Sequence, residues 1–354
     1  MIRLIAIGAV LTATLFNSCI EQKVNDMETE RNINYPAAYI VNGEDASISV
    51  IKLADNTVTE TIALTGSEDS RVRWPHHISQ HQAGGITKLA IAVPGMDLSA
   101  GHGGGMHGMK GRILIMDAVK GMLIKDLEVP VMNHNAVYSP DGREIWTSRM
   151  EGEGMVLVYD ADTYKLKTSI EVRRDPAEVT FSADGSKVYV ANGGDNTVSV
   201  IDPAAKSVMA TIAVGDNPVA AWVGYDGNMY VDNEHGNSVS VISVASDSVI
   251  QTIDLGFMPG SVAHNAQRKE LWVTDPQSGK LHYYTRDTGT GNWIHGSAFN
   301  AAAGAHAIAF TNDGESAYVT NQEAASVSVI NAITHTRLKD IDVGKKPNGI
   351  LIKY

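Results

Sequence analysis

The chain repeats itself, and the repeat leaves few folds open. The segments DPAEVTFSADGSKVYVANGGDNTVSVIDPAAKSVMATIAVGD (175–216), NPVAAWVGYDGNMYVDNEHGNSVSVISVASDSVIQTIDLGF (217–257) and GAHAIAFTNDGESAYVTNQEAASVSVINAITHTRLKDIDVGK (304–345) share one pattern. Each begins with a small apolar strand and an Asp-Gly turn. A strand of the type K-V-Y-V-A-N, a strand like V-S-V-I-D and a last strand ending near glycine follow. The strands alternate and are rich in Val, Ile and Tyr, and the turns carry Asp, Asn and Gly. A unit of roughly forty residues cannot bury its own apolar face and must stack on copies of itself. Four short strands per unit predict the blade of a β-propeller.

Full units begin near Arg73, Met132, Asp175, Asn217, Met258 and Gly304. Residues 37–64 supply only a second, third and fourth strand, and KPNGILIKY (346–354) supplies only a first. Joined, they make a seventh blade that closes the ring and leaves no sheet edge unpaired. The fold class is therefore all-β, a seven-bladed propeller over residues 35–354.

Three tetrapeptides, Tyr318–Asn321 (YVTN), Tyr189–Asn192 (YVAN) and Tyr39–Asn42 (YIVN), stand at one repeat position. In this the chain resembles the YVTN-repeat, or YncE-like, seven-bladed propellers of bacterial and archaeal envelopes. The resemblance spans nearly all of residues 35–354. It implies the fold and assigns no function, because one propeller architecture hosts many chemistries.

The N-terminus reads as an export signal. Arg3 precedes an apolar run from Leu4 to Phe16 that is too short to span a bilayer, and Ser18-Cys19 follows. This resembles a bacterial lipobox, which implies that residues 1–18 are removed and that Cys19 is lipidated. Cys19 is the one cysteine in the sequence, so it has no disulfide partner. Residues 19–34 then form a polar tether. The expected localisation is the bacterial cell envelope, exported and lipid-anchored, in the periplasm or facing the surface, with the bilayer as partner through Cys19. A net charge of −12 without a Lys/Arg cluster argues against nucleic acid.

First strands line the axis of a propeller, so residues at the starts of the repeats share positions around it. One column collects His76, His134 and His306, with Asn348 between His306 and His76 around the ring. The next column contributes His77, Asn135 and Glu178. Blade one also carries AGHGGGMHGMKGR (100–112) between its second and third strands, on the predicted top face. Glycine allows this loop to fold over the mouth and hang His102, Met106, His107 and Met109 above the ring. His235 lies in the matching loop of blade four. His81, His264, His282, His295 and His335 fall near other turns and outer strands and read as surface residues.

Imidazoles converging from separate blades suit zinc, copper and iron, and thioether sulfur favours copper over zinc. The expected site is thus a transition metal or metal cofactor held by His76, His134 and His306 with His77 in support. Its role would be metal binding or delivery, or a redox step with a protein partner. Histidine-lined propellers such as nitrous oxide reductase and haem-d nitrite reductase resemble this placement. No second cysteine and no C-x-x-C-H stands here to ligate copper or attach haem, which leaves noncovalent haem open. Two rivals are a surface scaffold for a protein or glycan, and a lactonase-like hydrolase. The latter calls for a carboxylate-rich calcium site, and this mouth reads as histidine-rich. The Asp-Gly pairs, and Asp160 and Asp202 after third strands, read as turn residues.

Overall fold

The computed structural model describes residues 29–65, 72–98, 109–150 and 153–354. Among these residues the strands form seven four-stranded antiparallel sheets, ordered as predicted. The closing blade is the decisive one. The C-terminal strand Pro347–Lys353 pairs with Ala37–Asn42, which is followed by Ser47–Lys52 and Thr57–Ala63. The two ends of the chain are thereby held in one sheet. Attachment begins earlier than the predicted tether allows. Arg31 and Ile33 donate their backbone N–H groups to Lys120 and Val119 of blade one, and Ile33 is fully buried.

The apolar core lies between neighbouring blades. Trp146, Val156 and Val158 of blade two, for example, pack on Val179, Val188 and Val190 of blade three. The YVTN residues divide the labour of holding this together. The tyrosine reaches out of its blade: Tyr189 donates to Asp247 of blade four, Tyr318 to Asn56 of the closing blade, and Tyr39 to the Ala118 carbonyl of blade one. The asparagine works inside its blade. Asn321 donates to both Ser326 and Ser328, Asn192 to Thr197 and Ser199, and Asn42 to Ser47 and Ser49. The tetrapeptide is thus a structural device in this chain.

A second device aims side chains at the axis. The residue before the first strand has a left-handed φ at Trp74, Asp175, Asn217 and Lys346, each followed by proline, and Gly304 takes that place in blade six. Such φ values are uncommon outside glycine. The strand then bulges: its register with the second strand jumps between Pro176 and Val179, Pro218 and Ala220, and Ala305 and Ile308. A bulge re-aims the side chains it displaces. The displaced positions are the two aligned columns.

Candidate metal centre

The segments leading into Ile78–Ala83 and Ala136–Tyr138, with the bulge of Pro176–Phe181, bring His76, His77, His134 and Glu178 together. Ligand nitrogens of the three histidines all lie within 4.8 Å of one another. The ring of His76 stands 4.3 Å from that of His77 and 4.5 Å from that of His134, centroid to centroid. His76, His134 and Glu178 are buried, and His77 is half-buried. Glu178 joins the group from blade three. One of its carboxylate oxygens lies 2.8 Å from His77 Nε2 and 3.3 Å from His134 Nδ1. Burial acts to raise the Glu178 pKa, and His77 and His134 outweigh it by charge and hydrogen bonding. The carboxyl is held well below its usual range.

His306 lines the same chamber, but its ring is 6.5 Å from that of His76 and it stands outside the close trio. The structure thus exchanges the expected roles of His77 and His306. His77 takes its place in the trio from the second column, with its Nε2 against Glu178. Asn135 is committed elsewhere, bonding both the N–H and the carbonyl of Val179. Asn348 is buried, and its Oδ1 has no hydrogen-bond partner among the described residues. His235 is exposed and is not among the described residues lining the chamber. The Met109 methyl sits against Gly95, away from those lining residues. His102, Met106 and His107 lie outside the described residues, as does Cys19.

The surface reading of the remaining histidines needs correction. His335 stacks on Tyr283 at 3.9 Å and bonds Glu270, and His264 packs against Tyr230 and Trp293. His282 faces the exposed His295, nitrogen to nitrogen at 3.2 Å, with Phe257 against its ring. These are packing roles on the sheets. The turn residues behave as read. Gly142, Gly185, Gly227 and Gly314 all have positive φ, and Asp160 and Asp202 accept backbone N–H bonds from the turns that follow them.

The sequence reading missed Asp232, Glu234, Trp222 and Gln322, which also line the chamber. Trp222 stands 6.3 Å from the His77 ring and donates its Nε1–H to Asp232. Burial first, then the charges of Glu234 and Glu178, push the Asp232 carboxyl well above its usual pKa range. The mouth is therefore carboxylate-rich as well as histidine-rich. A signal was available: Asp232 is the charged residue of a repeat column that elsewhere holds Ala191, Thr274 or Thr320. The chamber encloses about 50 Å³.

No protein-family model matches the chain, and no curated protein matches it by sequence. Solved structures do match in fold. The periplasmic gluconolactonase PpgL of Pseudomonas aeruginosa superposes with a TM-score of 0.71 at 17% identity, over 90% of this chain and 99% of that one. Hydrazine synthase of Kuenenia stuttgartiensis gives 0.63 at 16%, over 80% and 90%. The dihydro-haem d1 dehydrogenase NirN in complex with DHE gives 0.61 at 12%, over 93% and 81%. At these identities the likeness is one of fold.

Proposed function

We propose that the axial chamber is a transition-metal site, with His76, His77 and His134 as ligands and Glu178 as the carboxylate that orients them. One observation carries this reading: three imidazoles from two blades bring their nitrogens within 4.8 Å of one another in a buried pocket. A tetrahedral ion with bonds of about 2.0–2.1 Å needs its nitrogens roughly 3.4 Å apart, so displacements of about 1 Å or less close the trio. A carboxylate behind metal-bound histidines fixes their tautomer and raises their basicity, and Glu178 stands where it does this for His77 and His134. For a nitrogen-and-oxygen donor set the usual order of affinities puts copper(II) above zinc. A volume of about 50 Å³ suits an ion with a few waters, and a tetrapyrrole would require the chamber to open.

When bound, such an ion supplies Lewis acidity or a lowered pKa of a bound water. The chain supplies the rest. Leu98 and Trp222 wall the chamber, and Glu178 and Asp232 line it with carboxyl groups. These carboxyls favour, as a second reading, metal-assisted hydrolysis of a small carbonyl compound, in keeping with a fold shared with a gluconolactonase. The exported, Cys19-anchored placement belongs to the same proposal. Cys19→Ser is expected to move the protein from the membrane to the soluble fraction, and retention on membranes would reject the anchor.

The test is metal analysis of protein purified without a histidine tag. One equivalent of copper or zinc is expected, lost in His76→Ala/His77→Ala/His134→Ala and kept in His306→Ala. Metal-free protein whose Tm ignores added copper and zinc would refute the site and favour the scaffold reading, since a ligand specific to the native state must raise Tm.

A further inference from the structure

A further wall of the chamber carries no histidine. It is formed by Asp232 and Glu234, at and just after the end of Asn228–Asn233 in blade four, and by Gln322, just after Ser316–Asn321 in blade six. The repeat shows what the Asp232 position must do for the fold. The bulge in the first strand leaves a backbone N–H off the ladder, and this position accepts it. Thr274 does so for Ser261 in blade five, and Thr320 for Ala307 in blade six. In blade four Asp232 Oδ1 does it for Ala220, and also accepts from Trp222. A hydroxyl suffices in blades five and six, and blade three has only Ala191 at this position, so the second carboxyl oxygen of this buried acid is surplus to the fold. Gln322 adds a second, independent sign. It is 7% exposed, and its Nε2 has no partner among the described residues.

Apart from the histidines and the ion they would hold, the charge on this chamber is one-sided. Glu178 and Glu234 face it, and no Lys or Arg is among the described residues that line it.

We propose that this wall selects a second ligand by charge: a small neutral or cationic molecule bearing hydroxyl or amide groups is favoured beside the ion, and phosphorylated or carboxylated molecules are disfavoured. Gln322 donates to an oxygen of that molecule, and Asp232 and Glu234 accept from its O–H or N–H groups. The volume of about 50 Å³ limits it to a few heavy atoms inside the chamber. The inference rests on the metal reading for what the molecule meets, while the charge filter is a property of the wall itself.

Acetate and acetamide share a shape and differ in charge. Their affinities for the cobalt(II)-loaded protein are read from the visible bands of the ion. Glu234→Gln removes one negative charge at short range and is expected to strengthen acetate binding about tenfold. Acetamide should change by less than about twofold. Gln322→Leu removes a donor and should weaken acetamide about fivefold. Acetate affinity unchanged by Glu234→Gln overturns the proposal, as does uptake of a second cobalt ion by Asp232 and Glu234. If no cobalt is taken up, the metal reading falls and the filter is tested in the metal-free protein. The emission of Trp222, isolated by difference from Trp222→Phe, should then be quenched more by caesium than by iodide, with the preference reduced in Glu234→Gln. Equal quenching by the two ions would overturn the filter.

Discussion

Glu178→Gln separates a site that grips metal from a polar lining that merely looks like one. The glutamine is nearly isosteric, so the chamber keeps its shape. Its chemistry changes at one point. The carboxylate oxygen lies between His77 Nε2 and His134 Nδ1, at 2.8 and 3.3 Å, and as a charged acceptor it serves both rings. An amide oxygen in the same place is a neutral and weaker acceptor for the two rings. It also removes the negative charge that raises imidazole basicity. Losses of orienting partners of this kind typically cost 10–100-fold in metal affinity, or about 1.4–2.8 kcal/mol. The assay is competition for copper or zinc against a chromophoric chelator at pH 7.5, with His306→Ala as the matched control. A Kd that rises about 10–100-fold in Glu178→Gln and less than about threefold in His306→Ala is expected. Equal affinities in both variants would refute the assignment of Glu178, whatever the metal content. The metal-free protein gives a second reading. The folded-state pKa of Glu178 is depressed below its reference value of 4.5. Its contribution to stability is therefore present above about pH 5 and is lost as pH falls through the folded value. The stability gap between wild type and Glu178→Gln should narrow on acidification, and a gap that widens would contradict the sign.

Two further perturbations probe the wall and the frame. Asp232→Asn keeps an acceptor for Ala220 and Trp222 and removes an acid whose pKa is raised by burial. The wild-type carboxyl is favourable below its reference value of 3.8, and that benefit is lost as pH rises through the folded value, so the variant should gain more Tm at pH 8 than at pH 5. A gain independent of pH would reject the raised pKa. Asn321→Ala removes the donor shared by Ser326 and Ser328 within blade six and should destabilise by about 2 kcal/mol, or roughly 3 °C in Tm for a domain of this size, as seen by calorimetry. No shift would show that the repeated asparagine is dispensable to the frame.

The fold was legible because it is written several times over. Alternation, Asp-Gly turns and the Tyr-x-x-Asn segments recur in register, and a missing first strand at one end matches a lone strand at the other. The reason for Tyr-x-x-Asn was not legible. A tyrosine that bonds across blades and an asparagine that bonds within one look alike in sequence, since both partners lie in other strands. The first-strand column was legible for the same reason as the fold, and it placed His76, His134 and His306 on the axis. Which of them meet was not. A column gives the angle around the ring but not how far each side chain reaches toward its centre, and His77 joins the trio with its Nε2 on Glu178, two blades away.

Asp232 stayed hidden for a reason that points to a better way of reading repeats. Recurrence marks what the fold needs, so a search for recurring residues finds the frame first and meets the site only where the site recurs, as the histidines do. A residue serving the chamber from one blade breaks the pattern. Asp232 replaces a small or hydroxyl-bearing residue at a position whose structural demand is one acceptor for one N–H, and Gln322 places a buried amide beside the same axis. An acid where a hydroxyl suffices costs desolvation that the fold has no need to bear. In a propeller, the residue that departs from its column toward greater polarity while facing the axis is therefore the stronger pointer to a ligand than any residue that conforms.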